Sequence, residues 1–258
     1  ANGMQTLPAE PPAWLTRSGL LAGGTIGERT WSELRDQLQP MLDGARPLFA
    51  DKRAQSLPQV IDLDLGGELR LAGTVERVFR GATGGPLLFD MQPARPAGLK
   101  DLLGYYIDWA ALQLSLPGVV HGEYLEPGPK TEPTRRAGLL QAIHAQDAEQ
   151  LRHGLRTLIE ASRRAEQQPL LFFPKTALAW AHAAPDDRMH NARSAWEGNG
   201  FNQIGERDYA PGYAALLTRG IDLFDPDSPD HHAFVSATRL VCSVLDPEQR
   251  SLLKEPRP

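Results

Sequence analysis

The chain predicts an α/β or α+β layered domain with one central sheet, and three observations predict it. Apolar residues recur at helical spacing early on, switch to a period of two between Gln59 and Gln92, and return to helical spacing from Gly98. Glycines punctuate the period-two region at Gly66-Gly67 and in GATGG, where tight reversals belong. The resulting order of helix, strand meander, long helix, strand and further helices buries one face of each element against another.

Residues 1–13 carry Pro8, Pro11 and Pro12 without apolar periodicity and are expected to be a tail or linker; residues 14–258 are expected to form a single domain, cut from something larger. The first firm helix follows. Thr30-Trp31-Ser32-Glu33 has the spacing of a capping box, after which Trp31, Leu34, Leu38, Met41 and Leu42 recur at helical intervals, with a kink or break expected at Pro40. VIDLDL, ELRLAGTVERVF and PLLFDMQ read as three strands. GLKDLLGYYIDWAALQLSL reads as a largely buried helix, because Leu99, Leu102, Leu103, Tyr106, Trp109, Ala110 and Leu114 cover more than one face. An apolar stretch, GVVHGEYL, precedes a polar loop rich in proline and glycine. DAEQLRHGLRTLIEASRRAEQQ is an amphipathic helix with Leu151, Leu155, Leu158 and Ile159 facing inward. PLLFFPKTALAWAHA comes next, and RMHNARSAWEGNG, PGYAALLTRG and HHAFVSATRLVCSVL are short helical candidates.

A net charge of −5 and a pI near 5.8 give no global pull toward nucleic acid or an anionic membrane, so any DNA contact has to be local. Cys242 is the single cysteine, which excludes an internal disulfide and a cysteine-based zinc site and suits a reducing compartment, with cytoplasm the default. No apolar run approaches the roughly 18 residues needed to span a bilayer, and the start lacks a signal peptide's basic and apolar regions.

The chemistry concentrates in LRLAGTVERVFRGATGGPLLFDMQPAR, residues 69–95. Alternation puts Leu69, Leu71, Val75 and Phe79 on one face and Glu76 on the other, while Leu88, Asp90 and Gln92 share a face of the next strand. Paired as a hairpin, the two strands would bring Glu76 and Asp90 close together at one end of the sheet. Two such carboxylates, followed two residues later by a lysine, form the core of metal-dependent nucleases: the acids hold Mg²⁺, the metal activates water, and the lysine stabilises developing charge. Here the third position is Gln92, a neutral amide. The residues alone leave two readings open, a metal site or ordinary strand acids that are solvated or paired with Arg77, Arg80 or Arg95.

SGLLAGGTIGE before a helix, then LRLAGTVERVF, LLFDMQPAR, LKDLLGYYIDWAAL, PLLFFPKTALAW, ARSAWEGNG and PGYAALLTRG form an ordered set that resembles the C-terminal domain of RecC, the gamma subunit of exodeoxyribonuclease V. The resemblance runs from about Trp14 to Leu245. It implies an α/β fold like the PD-(D/E)XK, or restriction-endonuclease-like, nucleases, with a central mixed sheet flanked by helices, but without their catalytic residues. Active relatives carry an acid where Glu76 stands, an Asp-x-Lys where Asp90-Met91-Gln92 stands, and then a tyrosine-bearing helix, as Tyr105 and Tyr106 provide here. It further implies a non-catalytic structural and strand-guiding role, with RecB-like and RecD-like subunits and DNA as partners, in double-strand break repair and recombination. The alternative is an active Mg-dependent DNA nuclease using Glu76 and Asp90. A stand-alone DNA-binding protein is a third reading, against which the acidic pI argues.

Lys130, Arg135, Arg136, Arg152, Arg156, Arg163 and Arg164 form the main local excess of positive charge. Arg135 and Arg136, and Arg152 and Arg156 four apart on one helix, are candidate phosphate contacts; the competing reading is a solvated face beside Glu149, Glu160 and Glu166. His182, His190, His231 and His232 lack metal spacing, and no metal or other cofactor is expected. GGTIG and GATGG read as turns, because they lack the lysine and strand context of a P-loop. Cys242 reads as an inert buried thiol. Trp196-Glu197-Gly198-Asn199 reads as a helix end capped by a left-handed Gly198 or Asn199, or else presents Trp196 as an interface anchor or base platform.

Overall fold

In a computed structural model the chain is described at residues 6–50, 54–129, 132–198, 204–209, 212–213, 215, 219–248 and 252. It divides into two compact units: residues 1–63, 71–97 and 111–137, and residues 64–70, 98–110 and 138–258.

The first unit begins with a short helix α1 (Ala13–Arg17) and the long α2 (Gly24–Ala45). Helix α2 corrects the expected start and excludes a break at Pro40. It starts at Gly24 behind Gly23, which offers no side-chain cap, and Thr30 lies inside it, with its hydroxyl donating back to the Ile26 carbonyl at 2.9 Å. It also continues through Pro40, so that proline marks no end of the helix. Residues before α1 run along α2: the Leu7 amide donates to Gln39 Oε1 at 2.8 Å and the Trp31 indole donates to the Pro8 carbonyl at 3.0 Å.

The strands fall into two sheets where one was expected. β1 (Gln59–Gly66) and β2 (Leu69–Val75) form a two-stranded ribbon, while β3 (Val78–Arg80), β4 (Pro86–Met91), β5 (His121–Pro127) and β6 (Thr134–Arg136) form a mixed sheet in that order. ELRLAGTVERVF therefore breaks at Glu76 and Arg77. Val75 and Val78 are both buried three residues apart, a spacing that the period of two in an unbroken strand does not permit on one face. β3 and β4 pair antiparallel around GATGG, where Gly84 (φ +85°) makes the reversal. β4 and β5 pair parallel, so the chain crosses over between them through α3 (Leu99–Ser115), a βαβ unit. β6, in the expected polar loop, pairs antiparallel with β5.

The core of this unit joins Met41 and Ala45 of α2 to Phe49, Leu87, Phe89 and Leu125. Phe49 meets Phe89 edge-on at 5.0 Å and Phe79 at 5.6 Å. Leu87, Phe89 and Leu125 use the alternate positions of β4 and β5, so this core takes one face of the sheet. Leu88, Asp90 and Tyr124 share the other.

Helix α3 is apolar nearly all round, as its sequence requires; Leu99, Leu102, Tyr105, Tyr106, Trp109, Ala110 and Leu112 are all buried. Its residues up to Ala110 belong to the second unit. That unit adds α4 (Leu140–His144), α5 (Ala148–Ala165), α6 (Pro174–His182), α7 (Arg188–Glu197) and α8 (Pro229–Leu245). Asp147 and Gln150 close a capping box at the start of α5. Gly154 lets the Tyr106 hydroxyl approach so closely that a Cβ there would lie 2.0 Å from its oxygen. Half of PGYAALLTRG falls outside the described residues. No helix among those described is long and apolar enough to cross a membrane.

Candidate functional site

The candidate acids lie around the first unit's mixed sheet. Asp90, near the end of β4, is 24% exposed and forms an ion pair with Arg77, while its Oδ1 accepts from the Met91 amide at 2.8 Å. Arg77 lies between β2 and β3, where its carbonyl accepts from the Phe89 amide at 3.1 Å. Extending the β3–β4 register by two residues sets Glu76 opposite Asp90, yet Glu76 is outside the strand and exposed. Gln92, just past β4, is half-buried and donates its backbone amide to the Leu125 carbonyl at 2.9 Å.

The parallel register carries this face onto β5. Asp90 stands beside Tyr124, so the same offset sets Gln92 beside Glu126. Glu126 is 2% exposed, accepts from the Ala97 amide at 2.7 Å and pairs with Arg135 at 2.9 Å, directly opposite on β6. Sequence reasoning missed this buried acid. The available signal was GEYLEP: Glu126 continues the alternation of Tyr124 and faces a strand carrying two arginines. On the other side of the sheet, Arg136 makes a two-pronged contact with Glu123, at 2.5 and 2.8 Å. Hydrogen bonding to Glu123, helped by its charge, raises the pKa of Arg136 further.

Electrostatically, each acid on the strands of the mixed sheet thus meets a guanidinium: Asp90 meets Arg77, Glu126 meets Arg135 and Glu123 meets Arg136. A divalent cation at Asp90 would have to displace Arg77. Among the described residues no three His, Cys, Asp or Glu side chains gather as a metal-binding group.

The other candidates separate. Arg152 is exposed on α5. Arg156, one turn on, donates through Nη1 to the Leu65 carbonyl at 3.1 Å, with Gly66 and Gly67 close against its guanidinium, so it holds the β1–β2 turn. Trp196 is buried against Phe173, with ring centres 4.5 Å apart, and is neither an exposed anchor nor a base platform. Helix α7 ends at Gly198, whose φ of 71° is positive as expected, but its ψ of −170° is extended rather than left-handed helical. Asn199 and Lys130 lie outside the described residues. Burial pushes the Cys242 thiol up to about 12, with Asp246 adding to the rise and Arg188 opposing it.

The fold and site define an α/β protein with a mixed sheet whose carboxylates are held by arginines. The chain belongs to the RecC C-terminal domain family, whose model matches residues 5–185. It is similar to the RecBCD enzyme subunit RecC of Mycobacterium tuberculosis, in strain CDC 1551 / Oshkosh and in strain ATCC 25618 / H37Rv. Each is 29% identical over 187 residues, covering 72% of this chain and 16% of the relative. The chain thus spans about a sixth of the length of the curated relatives it matches.

Proposed function

We propose that this chain is a non-catalytic, PD-(D/E)XK-like module of a RecBCD-type helicase-nuclease, acting through protein contacts and strand guidance in cytoplasmic double-strand break repair and recombination. The region from residue 14 onward serves as its working domain, with RecB-like and RecD-like subunits and DNA as partners. The observation that carries this reading is the pairing of Asp90 with Arg77, next to Gln92 in the place of a lysine. A carboxylate held by a guanidinium is a poor metal ligand, and an amide lacks the fixed charge that stabilises a developing phosphorane. Arg152, exposed on α5, is the candidate phosphate contact of the second unit.

Two measurements test the proposal. Linear DNA incubated with the chain and Mg²⁺ or Mn²⁺ is expected to stay intact; cleavage abolished by Asp90→Ala would establish an active nuclease instead. The chain is expected to retain RecB-like or RecD-like subunits in a pull-down, and loss of both would remove the assigned role.

A further inference from the structure

A cleft of about 510 Å³ opens in the second unit between the end of α5, the segment after it and the outer face of α8. Its floor is apolar. Leu171 and Ala237 are buried at its base, Ile221 and Leu240 are half-buried, and Leu170 is 43% exposed along its side. The α8 wall presents Ala233, Ser236 and Ala237, spaced three and four apart, so these small side chains share one face and let another backbone come near. The rim is basic: Arg164, in the last turn of α5, and Arg219 both line the cleft and are exposed. Asp230, the acid among the lining residues, turns its Oδ2 onto the Asp222 amide at 3.2 Å.

An apolar floor offers little to a phosphate backbone, whose binding rests mainly on charge and hydrogen bonds. Apolar side chains at helical intervals, flanked by carboxylates, match both the floor and the rim. Resting on the reading of this chain as a module of a multisubunit assembly, we infer that the cleft docks an acidic amphipathic helix of a neighbouring protein subunit. Helix α8, which forms one wall, lies beyond the residues that the family model matches, while the α5 wall lies within them.

The test uses the full chain and purified RecB-like and RecD-like subunits in a binding titration. Ser236→Trp fills the cleft from an exposed position, and the double change Arg164→Glu with Arg219→Glu reverses the rim. Each is expected to weaken binding to one subunit by about tenfold or more without changing the urea midpoint. Unchanged binding by both variants, with the wild type still bound, overturns the docking site and leaves the module reading standing. A wild-type chain that binds neither subunit overturns both. A dimer of the chain alone that Ser236→Trp dissociates in sedimentation would make a second copy the occupant and overturn the inference.

Discussion

Asp90 and Arg77 are 24% and 37% exposed, so water screens their attraction and the pair contributes only about 1 kcal/mol. Arg77→Ala is accordingly expected to lower the unfolding free energy in urea by about that amount. Its larger effect is chemical, because it frees a carboxylate oriented by the Met91 amide. Gln92→Lys alone is expected to leave linear DNA intact in Mg²⁺, since Arg77 still occupies Asp90; the readout is the lifetime of the DNA substrate. Glu126 differs in kind. Being 2% exposed, with Arg135 and the Ala97 amide both dependent on it, its replacement by glutamine leaves a guanidinium without its countercharge. Arg135 is 37% exposed, so water takes over part of the lost charge, and a loss of about 1.5 kcal/mol is expected for Glu126→Gln in the same urea titration. Asp90 was legible in the sequence because its motif spans three residues. For Glu126 only the alternation with Tyr124 was legible, because its partner and its burial both come from strand pairing.

The elements repeat that division between local and distant causes. The α5 start is encoded within four residues, since Asp147 accepts from the Glu149 and Gln150 amides and Gln150 reaches back to the Asp147 amide. The start of α6 is not. Glu206, thirty positions downstream, accepts from the Lys175 amide at 3.0 Å and the Thr176 amide at 2.7 Å, so a remote carboxylate does the work of a cap. Thr30-Trp31-Ser32-Glu33 shows the converse failure, because a local capping pattern inside a helix already begun at Gly24 has no orphan amides to satisfy. Gly154 sits mid-helix at a cost in propensity, and the Tyr106 hydroxyl explains why. Gly154→Ala is expected to destabilise by about 2 kcal/mol in urea, although alanine is the better helix former, because its methyl group collides with that oxygen.

At the scale of the whole molecule, a layered α/β or α+β class was legible because the change of period marks it, while the parallel pairing of β4 with β5 that decides for α/β was not. The separation of the strands into two sheets was not, since it depends on a two-residue break at Glu76 and Arg77 that alternation alone passes over. The burial of Cys242 sets a limit on conditions. Its thiol rises from an ordinary 9.0 to about 12, so above pH 9 the folded chain keeps a proton that the unfolded chain loses. Its contribution to stability is therefore complete below pH 9 and is lost as pH climbs toward 12. Burial of the Tyr106 hydroxyl acts in the same sense. Urea midpoints measured from pH 9 upward are expected to fall, and less steeply in Cys242→Ala. The parallel pairing of β4 with β5 carries a cost in time. Asp90 waits for Tyr124, so during synthesis the chain must extend past Leu125 before β4 gains its second neighbour, while α3 needs only its own residues to form. Contacts so separated along the chain slow folding, which leaves β4, carrying the apolar Leu87, Leu88 and Phe89, open to misassociation in a nascent or truncated chain.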